Sequence, residues 1–172
     1  MRPNFRLRMR EDGLGFWAGR YSYPGDAEME ERVAPTARAR GYLLRDEFLG
    51  LCRWKTPRSQ PRCAENGEDY VREVSRIALA ATNEELKIRV LLLLAGVSWP
   101  TASVILHFCD RGPYPILDFR ALWSVGVRQV PRYTFSLWWK YTCFIREISD
   151  RTGLSMRAID RALWQYSKER QR

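Results

Sequence analysis

The sequence contains few amines, a single histidine and no long apolar run. A zinc site is not expected, because His107 is the only imidazole among 172 residues. The apolar stretch from Val90 to Val97 is far shorter than a membrane span, so we expect no membrane partner. Only four side chains are primary amines, which leaves little choice for amine nucleophiles: Lys55, Lys87, Lys140 and Lys168.

Cysteine is also scarce, and its spacing excludes the common paired motifs. The four residues form no CxxC pair, which predicts reduced thiols in the core: Cys52, Cys63, Cys109 and Cys143. The first ten residues carry charge but no apolar segment, so they are not a secretory signal. We therefore expect a cytoplasmic protein, associated with the nucleoid if it is bacterial.

Arginine is abundant, in contrast to lysine. Of 29 basic residues, 29 − 4 = 25 are arginines, and the formal net charge is +9. A compact surface of this charge attracts polyanions, and the planar guanidinium group binds phosphates bidentately. A nucleic-acid partner and a bias of genome composition both explain this excess.

Apolar residues recur at helical spacing along most of the chain, and no alternation typical of strands is present. We predict an all-α protein, a compact helical bundle of two small lobes. Glycines and prolines break the pattern early, which predicts an irregular arm over residues 1–35 and a helical domain over 36–172.

Capping residues mark several predicted helix ends. A capping box of Thr82 and Glu85 is expected to begin one helix. Asp118 caps a short helix, and Ser155 caps the last one. Thr134 begins a longer helix that ends at Gly153.

Two apolar helices flank a tight turn within residues 84–108. Gly96 supplies a positive φ at no steric cost, and Pro100 falls in the first turn of the second helix, where a missing N–H is harmless. Backbone N–H groups at such a helix start form a ready site for a phosphate oxygen. The pattern predicts a helical hairpin that binds the nucleic-acid backbone without reading base sequence.

At these positions the chain resembles the helix-hairpin-helix DNA glycosylase superfamily, which includes endonuclease III and the adenine glycosylases. Gly96, Val97, Thr101 and Ala102 match the family hairpin, whereas Ala95 and Ser98 depart from it. The sequence Pro-Ile-Leu-Asp at 115–118 resembles the segment that bears the family's catalytic aspartate, 118 − 96 = 22 positions after the glycine.

The resemblance implies that Asp118 stabilises the cationic sugar during cleavage of an N-glycosidic bond and directs water to it. Pro100 stands where lyase-competent members carry a lysine, which implies a monofunctional enzyme. The cysteines are too far apart for the iron–sulfur loop of some members, so no cofactor is expected. The implied partner is double-stranded DNA with one flipped nucleotide, bound by a monomer.

Further residues are candidates for contacts with DNA. The predicted DNA-binding set is Gly96, Val97, Ser98, Trp99, Thr101 and Arg120. The predicted base pocket or wedge combines aromatic rings with cations, as base extrusion requires, in Trp54, Lys55, Arg58 and Tyr114. Three other tryptophans are expected to pack between helices: Trp123, Trp138 and Trp164.

Three alternatives remain open at this point. Asp118 could serve only as a helix cap, worth about 1 kcal/mol. The whole chain could be a noncatalytic helix-hairpin-helix module that binds DNA. A helical protein-interaction domain is the third alternative, and it predicts feeble DNA affinity with little salt dependence.

Overall fold

The computed structural model describes residues 4–129 and 132–171. Within these ranges the regular structure is helical and contains no strand, which confirms the all-α prediction. The α-helices are α1 (Leu14–Gly19), α2 (Ala34–Arg40), α3 (Arg45–Lys55), α4 (Gln60–Cys63), α5 (Glu68–Ala80), α6 (Glu84–Leu91), α7 (Trp99–Cys109), α8 (Phe119–Ser124), α9 (Phe135–Thr152) and α10 (Met156–Arg170). Short 3-10 helices occupy Glu11–Gly13 and Pro57–Ser59, and a π-helix occupies Glu28–Val33.

Four of the predicted helix ends are confirmed. The side chains of Asp118, Thr134 and Ser155 accept hydrogen bonds from the first turns of α8, α9 and α10. Gly153 ends α9 with φ of 70°. Each of these signals acts over four residues or fewer, so the local sequence is sufficient to specify it.

The predicted start of α6 is wrong by one residue. Asn83, rather than Thr82, is the N-cap, and its Oδ1 accepts the N–H of Leu86 at 2.9 Å. Asparagine caps helices at least as well as threonine, because its amide oxygen reaches the same first-turn N–H.

The N-terminal stretch, predicted to be an irregular arm, instead contains helix α1 and the π-helix. Leu14 and Val33 are fully buried, so both helices gain stability from tertiary packing that a scan for local periodicity misses. The N–H of Arg6 also donates to the carbonyl of Val125 at 2.9 Å. Residues far apart in the chain therefore order this segment.

Contacts between residues divide the described chain into two compact units. One is the continuous segment Tyr23–Gly112, and the other combines Met1–Ser22 with Pro113–Arg172. We call them the hairpin unit and the Asp118 unit. These boundaries differ from the predicted division at residue 35.

The hairpin unit contains α2 to α7. Helix α3 packs against α7, and α5 packs against α6. The interior is apolar and includes Phe48, Leu51, Ile88 and Leu106, all fully buried. Burial of such side chains from water supplies most of the stabilisation of a helical unit.

A buried ion pair connects the two helices of the hairpin. Lys87 on α6 donates from Nζ to Oδ2 of Asp110 at 2.6 Å, and both side chains are buried. Asp110 directly follows α7, and its Oδ1 accepts the N–H of Gly112 at 2.7 Å. The pair therefore fixes the end of α7 against α6.

The Asp118 unit is organised around α10. Helices α1 and α8 both pack on α10. Helix α9 contributes a buried face that includes Trp138, Tyr141 and Ile145. The burial of Trp138 matches its predicted packing role.

Among the described residues, none of the helices combines the length and apolar character that crossing a membrane requires.

The buried ion pair yields a stability prediction. Replacing Lys87 with Met leaves the Asp110 carboxylate buried without this cation, and we expect the free energy of unfolding to fall by about 3 kcal/mol or more. Arg89→Met is the control, because it removes an exposed pair with Glu85 from the same helix and should cost less than about 1 kcal/mol. Urea denaturation at pH 7 measures both values, and equal losses would contradict the prediction.

Candidate nucleic-acid interface

The turn between α6 and α7 occupies residues 92–98. Gly96 has φ of 79°, the left-handed value that the sequence predicts. The N–H of Val97 donates to the carbonyl of Leu94 at 3.1 Å and closes the turn. The carbonyl of Ser98 accepts the N–H of Ala102 at 2.8 Å and begins α7.

Asn66 holds this turn from the inside of the hairpin unit. Its Oδ1 accepts the N–H of Ala95 at 2.9 Å, and its Nδ2 donates to the carbonyl of the same residue at 3.0 Å. A second bond from Nδ2 reaches the carbonyl of Cys63 at 2.8 Å. The side chain is only 4% exposed, so water does not compete effectively for these bonds.

Gly96 lies in direct contact with the end of α4. A Cβ atom at this position would approach Cys63 to 2.6 Å from Sγ and 2.8 Å from the backbone N. Glycine is therefore required at this position for two reasons, the left-handed backbone conformation and the close approach of Cys63. The hairpin turn and α4 pack as one element.

The outer side of the turn is accessible. Ser98 is exposed, and Val97 and Trp99 are half-buried. A cavity of about 350 Å³ lies beside residues 92–98, and Ser59 and Arg62 also line it. Ser98 offers no side-chain cap to α7, which leaves the start of the helix to other acceptors.

Thr101 differs from its neighbours in the predicted DNA-binding set. Its side chain is 1% exposed and packs in the interior. This burial leaves Thr101 little surface for the predicted contact with DNA. The threonine is a buried residue of the first turn of α7.

Asp118 lies in the Asp118 unit, at the start of α8. Its Oδ1 accepts the N–H of Arg120 at 2.7 Å and that of Ala121 at 3.1 Å. The residue is half-buried. Two backbone donors thus fix the direction of the carboxylate, and the positive end of the helix dipole favours its charge.

The negative charge of this carboxylate contributes to the raised pKa values of two tyrosines. Burial raises the pKa of Tyr133, and the negative charge of Asp118 raises it further. Burial raises the pKa of Tyr141 well above its usual range, with smaller contributions from Asp160 and Asp118. The O–H of Tyr141 donates to the carbonyl of Ile116 at 3.3 Å. Both phenols therefore keep their protons to higher pH than an ordinary tyrosine does.

Trp54, predicted as a base-pocket residue, lines a larger cavity in the hairpin unit. This cavity has a volume of about 480 Å³ and is also lined by Tyr23, Met29 and Arg53. The indole Nε1 donates to Oδ1 of Asp26 at 3.2 Å. The ring makes edge contacts with Tyr23 and with the neighbouring Phe108, so it is held in place by packing.

The other predicted pocket residues are dispersed. Lys55 ends α3 and is half-buried, whereas Arg58 is exposed in the following 3-10 helix. Tyr114 belongs to the Asp118 unit, is 4% exposed and stacks on Trp138 at 5.8 Å. To act as the predicted wedge between bases, the Tyr114 ring would have to separate from the Trp138 ring.

The predicted site residues therefore fall into two groups. Trp54, Lys55, Arg58 and residues 96–101 belong to the hairpin unit, whereas Tyr114, Asp118 and Arg120 belong to the Asp118 unit. Sequence reasoning missed Asn66 and Arg62 beside the turn. Asn66 acts on a residue 29 positions away, and no local signal marks such a contact.

The described part of the chain contains few groups suited to metal binding or thiol chemistry. There, no three His, Cys, Asp or Glu side chains are grouped as a metal site requires. Burial raises the pKa of the Cys52 and Cys109 thiols far above the usual range, which disfavours the reactive thiolate.

No family model, curated protein or solved structure matches this chain. The resemblance at residues 94–118 rests on those residues alone.

The Gly96 contact yields a second stability prediction. In Gly96→Ala, left-handed strain and the clash with Cys63 act together, so we expect the free energy of unfolding to fall by about 3 kcal/mol or more. Gly153→Ala is the matched control, because its φ is 70° but no atom lies within 4 Å of the added Cβ. That variant should lose about 1 kcal/mol. Urea titrations compare the two, and an equal loss would remove the argument for close packing at Gly96.

The raised pKa of Tyr141 predicts a pH dependence. The folded phenol keeps its proton above pH 10, where an unfolded tyrosine ionises, so stability falls as pH rises above about 10. Tyr141→Phe should make that fall shallower by about 1.4 kcal/mol per pH unit. Chemical denaturation between pH 9.5 and about 11.5 measures the slope. Tyr70→Phe, at an exposed tyrosine, is the control, and identical slopes in the two variants would contradict the prediction.

Proposed function

We propose that this protein is a monofunctional DNA glycosylase that removes a damaged or modified base. The observation that carries the proposal is Asp118, a half-buried carboxylate oriented by two backbone N–H groups. Such an anion stabilises the positive charge that develops on deoxyribose as the base departs with the bonding electrons. It also directs the water whose oxygen bonds to the anomeric carbon.

DNA binding is assigned to the turn at residues 96–99. The inner side of this turn is satisfied by Asn66, while Ser98 is exposed at the start of α7. A phosphate oxygen is the acceptor that suits a helix N-terminus without a side-chain cap. Arg62 lines the adjacent cavity and supplies a cation. The net charge of +9 favours the same partner.

The proposed substrate is double-stranded DNA with the target nucleotide flipped out of the helix. Trp54, Lys55 and Arg58 are the proposed contacts to the extruded base or to the gap. We further propose that the protein acts as a monomer in the cytoplasm, without a metal or other cofactor.

A noncatalytic DNA-binding module is the second candidate. The observation that favours it is the helix-capping role of Asp118, which gives this residue a structural task independent of chemistry. In that case the hairpin would bind DNA and no base would be released.

The decisive variant is Asp118→Asn. Asparagine keeps an oxygen that caps α8 but removes the charge, so stability should change by less than about 1 kcal/mol. We expect base release to fall by about 10²-fold or more, with DNA affinity unchanged. The assay uses duplexes carrying alkylated, oxidised or deaminated bases and detects abasic sites by strand breakage in hot alkali.

Asp118→Ala is the structural control, because it removes both the cap and the charge. Wild-type protein that binds DNA but releases no base from any duplex would support the noncatalytic module. Base release that persists in Asp118→Asn would assign the chemistry to another residue. Feeble binding with little salt dependence would favour a protein-interaction domain instead.

A further inference from the structure

Cations and aromatic rings alternate on one side of α10 in the Asp118 unit. Arg161, Trp164 and Lys168 are spaced by three and four residues, which places them on one helix face. Tyr21 joins them from the segment after α1, and Arg120 joins them from α8. We call these five residues the cation–aromatic cluster.

Trp164 is the centre of the cluster. The guanidinium carbon of Arg120 lies 5.6 Å from the centre of the indole ring, and Nζ of Lys168 lies 5.0 Å from it. Tyr21 meets the same ring edge-on at 5.3 Å, and Arg161 lies 5.5 Å from the Tyr21 ring. Arg157, which is paired with Asp160, also lies 5.3 Å from the Tyr21 ring, so the two rings contact four cations by cation–π interactions.

The cluster is accessible to solvent. Lys168 is exposed, and the other four members are half-buried. The opposite face of α10 is buried and includes Ile159, Ala162 and Leu163. Trp164, predicted to pack between helices, is therefore only half-buried, and part of its ring is open to solvent.

Basic side chains outnumber acidic ones along α10, with four against two. Of the two carboxylates of α10, Asp160 pairs with Arg157 at 2.6 Å and Glu169 pairs with Arg20 at 2.9 Å. The cluster itself contains three cations and no acid. A polyanion is the ligand that this charge distribution suits.

The geometry matches a phosphodiester backbone. Arg161 and Lys168 are seven residues apart, about 10 Å along the helix axis, which corresponds to about three nucleotides of rise along one DNA strand. Long cationic side chains ordinarily lose much freedom on binding a phosphate, and the rings reduce that loss by holding them in advance.

We propose that the cation–aromatic cluster binds the phosphate backbone of DNA and gives the Asp118 unit a nucleic-acid contact of its own. The choice of DNA as the polyanion rests on the proposed function. Arg120 lies two residues after Asp118 in the first turn of α8, so the cluster adjoins the proposed catalytic carboxylate.

The test measures binding of the full chain to a fluorescent, undamaged duplex by anisotropy over a range of salt concentrations. The double variant Arg161→Gln, Lys168→Gln should weaken affinity about tenfold or more at low salt. The slope of log affinity against log salt should fall by about 1.8, because two phosphates lose their cations at about 0.9 each.

The matched control is Arg10→Gln, Arg151→Gln, which removes the same charge from the same unit. These arginines pair with Asp12 and Glu11, and we expect the slope to stay at the wild-type value. The single variant Lys168→Gln, at an exposed position, should lower the slope by about 0.9 and serves if the double variant folds poorly.

The outcomes separate this inference from the proposed function. If the wild type binds DNA and the cluster variants keep its slope, the cluster inference is overturned while the glycosylase proposal stands. Equal losses in the cluster and control variants overturn it as well, because total charge then explains the effect. Wild-type protein that binds no duplex at any salt concentration overturns the proposed function and removes DNA as the partner of the cluster.

Discussion

The hydrogen bonds of Asn66 to both backbone groups of Ala95 are the contact on which the hairpin turn depends. A turn between two apolar helices has polar backbone atoms that the core cannot satisfy. A single buried amide satisfies them here from the inside. The outer side of the turn remains at the surface, where Ser98 and the first turn of α7 are open to a ligand.

The two candidate sites use the same backbone feature in opposite ways. Helix α7 begins without a side-chain cap, so the positive end of its dipole can accept an external anion. Helix α8 begins with Asp118, and the anion there belongs to the protein. One helix start therefore suits an external anion, whereas the other is already capped by a carboxylate of the protein.

Sequence reasoning succeeded where a signal acts within a few residues. The caps at Asp118, Thr134 and Ser155 and the positive φ of Gly96 needed only local pattern. It failed where stability comes from distant residues. The helices before residue 35 and the contacts of Asn66 depend on tertiary neighbours, and nothing in their own segments reveals those partners. The proposed chemistry of Asp118 still rests on a motif and on the carboxylate's geometry.

The discontinuous make-up of the Asp118 unit has a consequence for biosynthesis. The hairpin unit is one continuous segment, so its core can form as soon as residue 112 has left the ribosome. Helix α1 packs on α10, which comes far later in the chain. Helix α1 therefore completes its packing only after α10 has been synthesised, so the hairpin unit can form its core before the Asp118 unit does.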